Sequence, residues 1–147
     1  MLRRLISGLT GDRGTSPPGP PAEPAATILV VDDDASLRDL IKLWLEGSGY
    51  GVTTAGNGRE GVATARRDRP DLIVLDGNMP EMDGFEALKH LRRDRRTARI
   101  PVVMLTMRIR EGDVLTGFRS GAQEYLTKPI TMEELLGSVR EQLRKVR

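Results

Sequence analysis

Cysteine is absent from the 147 residues, and histidine occurs once, as His90. Without cysteine there is no disulfide, no thiolate metal site and no cysteine nucleophile. A single histidine argues against a histidine-based metal centre and against an internal Ser-His-Asp triad. No apolar stretch approaches the length that spans a bilayer. The opening "MLRRLISGLTG" lacks the longer apolar region and small-residue cleavage site of a signal peptide. A large excess of one charge sign is also missing. The net charge of +2 is not the footprint of a strong nucleic-acid binder. What is there, 38% hydrophobic and 30% charged residues, suits a soluble globular domain with its own core. Together with the lack of cysteine, this leads us to expect a reducing, cytoplasmic location.

Residues 12–26, "DRGTSPPGPPAEPAA", are too rich in proline, glycine and small residues to bury a core. Residues 1–26 are therefore read as a flexible tail and 27–147 as one domain. From Thr27 the texture changes. "TILVV", "YGVTTA", "DLIVLD", "IPVVMLT" and "EYLTK" read as strands. The segment "ASLRDLIKLWLEGSG" places Leu37, Leu40, Ile41, Trp44 and Leu45 on one helical face, with Gly47 as a stop. Asn57 and Glu60 form a capping-box pair for a helix running to about Asp68. "GFEALKHLRRD" is a helix with Phe85, Leu88 and Leu91 facing in, and "EGDVLTGFRSG" another, closed by Gly121. Thr131 and Glu134 open the last helix with a second capping box. Five apolar strands alternating with five helices imply a parallel sheet covered on both faces, with right-handed crossovers. The expected fold is α/β, a flavodoxin-like doubly wound five-stranded sheet of order 2-1-3-4-5.

The polar residues fall where such a fold binds ligands. The first strand ends on Asp32, Asp33 and Asp34, the third on Asp76, the fourth on Thr106, and the fifth on Lys128 followed by Pro129. Strands 1, 3, 4 and 5 are neighbours in this order, so their C-terminal ends converge on one crevice. Carboxylates packed there raise each other's pKa unless a charge neutralises them. Their oxygens suit a hard divalent cation, Mg²⁺ first, which accepts few carboxylates and keeps several waters. Lys128 and the Thr106 hydroxyl complement the oxygens of a phosphate held there. The set reads as a phosphoryl-transfer site, in which a carboxylate can be the nucleophile.

"ILVVDDD", "LIVLDGNMPEMDG", "VVMLT" and "GAQEYLTKP" together resemble the receiver domain of two-component response regulators, over about residues 27–147. The resemblance implies that Asp76 is the phosphoacceptor, with Thr106 bonding and Lys128 pairing with the phosphoryl group. It also implies that Asp33, Asp76 and the Asn78 backbone carbonyl bind Mg²⁺ (or Mn²⁺) directly, with Asp32 acting through water. Tyr125 matches a switch aromatic whose rotamer follows Thr106, and Lys128-Pro129 a peptide often cis in the family. The implied donor is a histidine kinase or histidine phosphotransfer protein. The implied output is the face of helix 4, strand 5 and helix 5, read by a downstream protein, with the receiver a monomer or a phosphorylation-linked dimer. A stand-alone signalling module rather than a metabolic enzyme is expected, with no DNA-binding output domain and no direct nucleic-acid contact.

Each residue alone has a plainer reading. "DDD" supplies a helix cap, Asp83-Gly84 is turn chemistry, Tyr125 is packing and His90 a solvated helix residue. Conjunction at four strand ends carries the sharper one. The arginines at 92, 93, 95, 96, 99, 108 and 110 read as a solvated basic face. Two alternatives stand beside the phosphoacceptor. One is a pseudo-receiver that binds partners without phosphate. The other is a haloacid dehalogenase-type phosphatase built on Asp32-x-Asp34, which would need a further acidic pair on a strand after the lysine. Asn78, Met107 and Arg108 occupy positions that tune phosphoryl lifetime in the family. Met107 replaces a residue that is usually small, and is expected to slow access of water. Faster dephosphorylation of Met107→Ala would bear this out, and an unchanged rate would sink it.

Overall fold

The computed structural model of the chain describes residues 26–107 and 121–146. The strands are β1 (Thr27–Val31), β2 (Gly51–Ala55), β3 (Leu72–Asp76), β4 (Val102–Thr106) and β5 (Glu124–Thr127). The helices are α1 (Ala35–Gly47), α2 (Gly58–Asp68), α3 (Gly84–Arg93) and α4 (Met132–Lys145). The helix expected over 111–121, Arg108, Arg110 and the predicted tail up to residue 25 lie outside the described residues. Ala26, the last residue assigned to that tail, is buried, and its carbonyl accepts from the Gly51 N–H. No helix among the described residues is long and apolar enough to cross a membrane.

The sheet is parallel throughout, in the expected order β2-β1-β3-β4-β5. Alternation along the strands assigns its two faces. Leu29, Val31, Ile73, Leu75, Val102 and Met104 meet α2 and α3 through Val62, Ala65, Leu88 and Leu91. Ile28, Val30, Leu72, Val74, Val103 and Leu105 meet α1 and α4 through Ile41, Leu45, Leu135, Val139 and Leu143. Burying each such side chain contributes about 1.5–3 kcal/mol before the entropy of ordering it. Both faces of β3 are covered, so all five of its residues, Asp76 included, are buried.

Local signals explain the helix starts. Asp34 Oδ1 accepts from the Ser36 and Leu37 N–H groups at 3.0 and 3.2 Å, capping α1. Thr131 and Glu134 form the expected reciprocal box on α4. At α2 the Asn57 side chain accepts from the Glu60 N–H, but Glu60 Oε1 takes the N–H of Gly56 at 2.6 Å, one residue before the cap. Leu40, expected on the buried face of α1, is 41% exposed; Ile41 and Leu45 are buried there, with Leu37 and Trp44 partly buried against the same core.

The basic-face reading needs correction at Arg92. Its guanidinium is partly buried and donates to the carbonyls of Gly121 (Nη2, 2.8 Å), Thr97 and Ala98 and to Gln123 Oε1. It therefore ties the end of α3 to the approach to β5. Burial pushes its pKa down. Arg96 and Arg66 both pair with Asp94, whereas Arg93, Arg95 and Arg99 are exposed.

Two glycines make contrasting demands. A Cβ on Gly137, mid-helix in α4, would meet nothing within 4 Å. One on Gly84 would overlap the Asp76 carbonyl oxygen and lie 2.7 Å from Gly77 Cα. Gly137→Ala is expected to stabilise the fold by about 0.5–1 kcal/mol through helix propensity. Gly84→Ala is expected to cost about 1–3 kcal/mol by overpacking. Urea denaturation measures both, and effects of the same sign would contradict this account.

Candidate functional site

The three aspartates after β1 divide their tasks. Asp34 caps α1. Asp32 is fully buried, its Oδ1 accepting from the Asp34 N–H at 2.9 Å and its carbonyl from Arg38 Nη1 at 2.8 Å. Asp33 stays exposed at the rim. Asp76 arrives on the neighbouring strand β3 with 1% of its surface accessible. Carboxylate oxygens of Asp32, Asp33 and Asp76 all lie within 4.8 Å of one another.

Lys128, at the end of β5, reaches across to this cluster. Its Nζ lies 3.2 Å from Asp76 Oδ1 and 3.3 Å from Asp32 Oδ2. The Lys128-Pro129 peptide is cis, the isomer expected there. The Asn78 N–H also donates to Asp76 Oδ1, at 3.0 Å. Both hydrogen bonds to the Asp76 carboxylate among the described residues therefore fall on Oδ1. The loop beyond β3 is drawn in by backbone bonds, Gly77 N–H to Leu105 O and Gly84 N–H to Gly77 O. That close approach explains why position 84 is glycine.

Asn78 turns its side chain toward β4. Its Oδ1 accepts from the Met107 N–H at 3.0 Å and, more weakly, from the Thr106 hydroxyl at 3.4 Å. The Met107 side chain is 66% exposed. Tyr125 is half-buried, its ring 6.3 Å from that of Phe85 and tilted by 30°. His90 is exposed. The crevice thus brings together Asp32, Asp33, Asp76, Asn78, Thr106 and Lys128. Sequence reasoning missed Arg38, which sits one turn into α1 with only an ordinary helical spacing to mark it. It also missed the bond from Asn78 to Met107, a backbone donor that no side-chain motif reveals.

Charge and burial set the chemistry. Burial pushes the Asp76 carboxyl up to about 6, against the Asn78 N–H; the Asp32 charge adds to the rise, and Lys128 opposes it. For Lys128 the largest single effect, burial, lowers the pKa, but Asp32 and Asp76 together outweigh it and raise it. Three carboxylates beside one ammonium leave a formal charge near −2, which a divalent cation neutralises.

Comparison with known proteins agrees with this geometry. Residues 28–140 match the family model described as response regulator receiver domain. The chain belongs to that family. The receiver is 49% identical over 118 residues to RpaA of Synechocystis, named a DNA-binding dual master transcriptional regulator; the match covers 80% of this chain and 49% of RpaA. It is 41% identical over 114 residues to Protein PilH of Pseudomonas aeruginosa, covering 78% of this chain and 94% of PilH. The chain thus spans about half the length of RpaA and nearly all of PilH. Among solved structures it superposes on the Vibrio cholerae chemotaxis protein CheY4 with a TM-score of 0.76 at 38% identity, covering 79% of this chain and 97% of that one. The receiver domain of a Pseudomonas aeruginosa sensor histidine kinase, described with a magnesium ion coordinated in its active-site cleft, gives 0.74 at 30% identity, covering 80% and 97%. The receiver is therefore a signalling module of two-component systems, with an acidic cluster suited to a divalent cation.

The raised pKa of Asp76 has a stability consequence. A carboxyl that binds its proton more tightly when folded contributes stability below its unfolded value of 3.8, and loses it as pH rises through about 6. At pH 7, without cation, ionised Asp76 weakens the fold. Asp76→Asn is expected to raise stability in chelator by about 1–3 kcal/mol at pH 7, with the gain fading towards pH 4. Mg²⁺ is expected to stabilise the parent much more than the variant. Urea titrations at both pH values check this, and an Asp76→Asn protein no more stable at pH 7 would refute it.

Proposed function

We propose that this receiver accepts a phosphoryl group from a phosphohistidine onto Asp76, in a reaction that requires Mg²⁺. The observation that carries the reading is the buried Asp76 carboxylate, bracketed by Lys128 Nζ at 3.2 Å and an acidic pair. The donor would be a histidine kinase or a histidine phosphotransfer protein. A carboxylate oxygen of Asp76 attacks phosphorus, the P–N bond to the imidazole breaks as the P–O bond forms, and the imidazole leaves with its electron pair and takes up a proton. Oδ2 suits the nucleophile, because Oδ1 is the oxygen held by the Asn78 N–H and Lys128.

The donor set fits a hard cation. Asp33, Asp76 and the Asn78 backbone carbonyl would ligate it directly, and Asp32 through water, with Mn²⁺ as a substitute. The Asn78 carbonyl accepts no hydrogen bond among the described residues, which leaves it available. When bound, the ion supplies charge neutralisation for the phosphoryl oxygens. Lys128 pairs with those oxygens and Thr106 donates its hydroxyl to them. Movement of Thr106 passes to Tyr125, and a face that includes β5 and α4 presents the result to a downstream protein. The reading makes the receiver a phosphorylated switch rather than a turnover enzyme, and gives it no nucleic-acid contact of its own.

Intact mass after incubation with acetyl phosphate and Mg²⁺ tests this. The parent is expected to gain one phosphoryl group, while Asp76→Asn, and the parent in chelator, gain none. A parent that stayed unmodified with acetyl phosphate and with a panel of phosphohistidine donors would establish the pseudo-receiver instead.

A further inference from the structure

Lys128 Nζ and the Thr106 hydroxyl, the donors assigned above to a phosphoryl group on Asp76, and the Met107 N–H next to Thr106 each meet an acceptor of the protein itself. Lys128 Nζ rests on Asp76 and Asp32. The Met107 N–H and the Thr106 hydroxyl point at one atom, Asn78 Oδ1. Asn78 is fixed at this spot by its own backbone, whose N–H holds Asp76 Oδ1 at 3.0 Å. The residue that steadies the phosphoacceptor therefore also lays a carbonyl oxygen on the neighbouring donors at the end of β4. Like a phosphoryl oxygen, a carboxamide oxygen accepts from an N–H and an O–H together.

We propose that the Asn78 carboxamide is a built-in occupant of the phosphoryl-binding donors, which must swing out before the Met107 N–H and the Thr106 hydroxyl receive phosphoryl oxygens. This rests on the phosphoacceptor reading of Asp76. Asn78 is a positioning residue here. It sets the fraction of molecules whose donors are open, and the apparent affinity for a phosphoryl group falls by that fraction. The exchange is inexpensive in each direction. The leaving carboxamide swings toward solvent, since Asn78 is exposed, and the donors are satisfied in both states. The backbone N–H to Asp76 and the backbone carbonyl assigned to the cation are untouched by side-chain replacement, so the two roles of Asn78 can be separated by mutation.

The test uses beryllofluoride with Mg²⁺, a non-hydrolysable stand-in for the phosphoryl group, so that hydrolysis rate does not enter. Its affinity for the full chain is measured by calorimetry for the parent and Asn78→Ala, with Asn78→Ser, whose shorter side chain does not reach Met107, as the second variant if Asn78→Ala fails to fold. The open variant is expected to bind about threefold to tenfold more tightly, the release of roughly one net hydrogen bond. In the unliganded state its Met107 amide is expected to exchange with solvent faster than in the parent, and to regain protection with beryllofluoride. Equal or weaker binding by the variants, with the parent binding, overturns the occupant proposal alone. A parent that does not bind beryllofluoride at all overturns the phosphoacceptor reading together with it.

Discussion

Two carboxylates, Asp32 and Asp76, are taken out of water at the ends of adjacent strands, with one ammonium reaching both. Removing a charge from water is expensive, and the cost falls only when opposite charge and hydrogen-bond donors are in place. Much of the local architecture meets that demand. The Asp34 N–H serves Asp32, the Asn78 N–H serves Asp76, and Lys128 is carried to them on the far edge strand. A parallel sheet is what allows this, since all its strands end at the same side and the central ones are covered on both faces. The same burial that pushes Asp76 up to about 6 also concentrates the field that a divalent cation answers.

The sheet order and the convergence of site residues were legible because they depend on coarse patterns. Apolar runs bounded by turns identify the strands, alternation with helices fixes the parallel arrangement, and strand ends then identify the crevice. Contacts made at short range by backbone were not legible. Asp83-Gly84 reads as turn chemistry, but the glycine is there because α3 begins almost on top of the Asp76 carbonyl. Glu60 lies at the capping-box spacing, yet its carboxylate reaches one residue further back, to Gly56. In each case the sequence carries the right residue type, and the partner is set by a chain approach that no spacing encodes.

Arginine shows the limit most clearly. Seven arginines in one stretch look alike in sequence, and a solvated face is the economical reading of all of them. Arg92 differs only in where it points. At the last turn of α3 it meets the carbonyls of Thr97, Ala98 and Gly121 instead of water, so a cation stabilises a buried corner with no carboxylate among its partners. A planar guanidinium suits this because it spreads several donors over separate carbonyls. Gly121 has φ +92°, and a Cβ there would lie 2.9 Å from Arg92 Nε, so the clamp and the glycine require one another. Asp94 similarly gathers Arg96 and Arg66; hydrogen bonds from Arg96 above all, with the Arg66 charge adding, pull its carboxyl well below the usual range. The basic stretch is therefore part scaffold and part exposed surface.

A resting site with its donors left open would be unstable or wet, because buried donors without acceptors are costly. The structure avoids this without a ligand. Lys128 is satisfied by the carboxylates whose repulsion it relieves, and the end of β4 by the carboxamide of the residue that anchors Asp76. Such self-satisfaction makes the acidic crevice tolerable without a ligand, and on the proposed reading it would set the terms on which a phosphoryl group enters. An incoming group must replace acceptors already present, so what it gains is the difference between two sets of hydrogen bonds rather than their sum. On the proposed phosphoacceptor reading, a covalent bond at Asp76 would have only that difference to overcome.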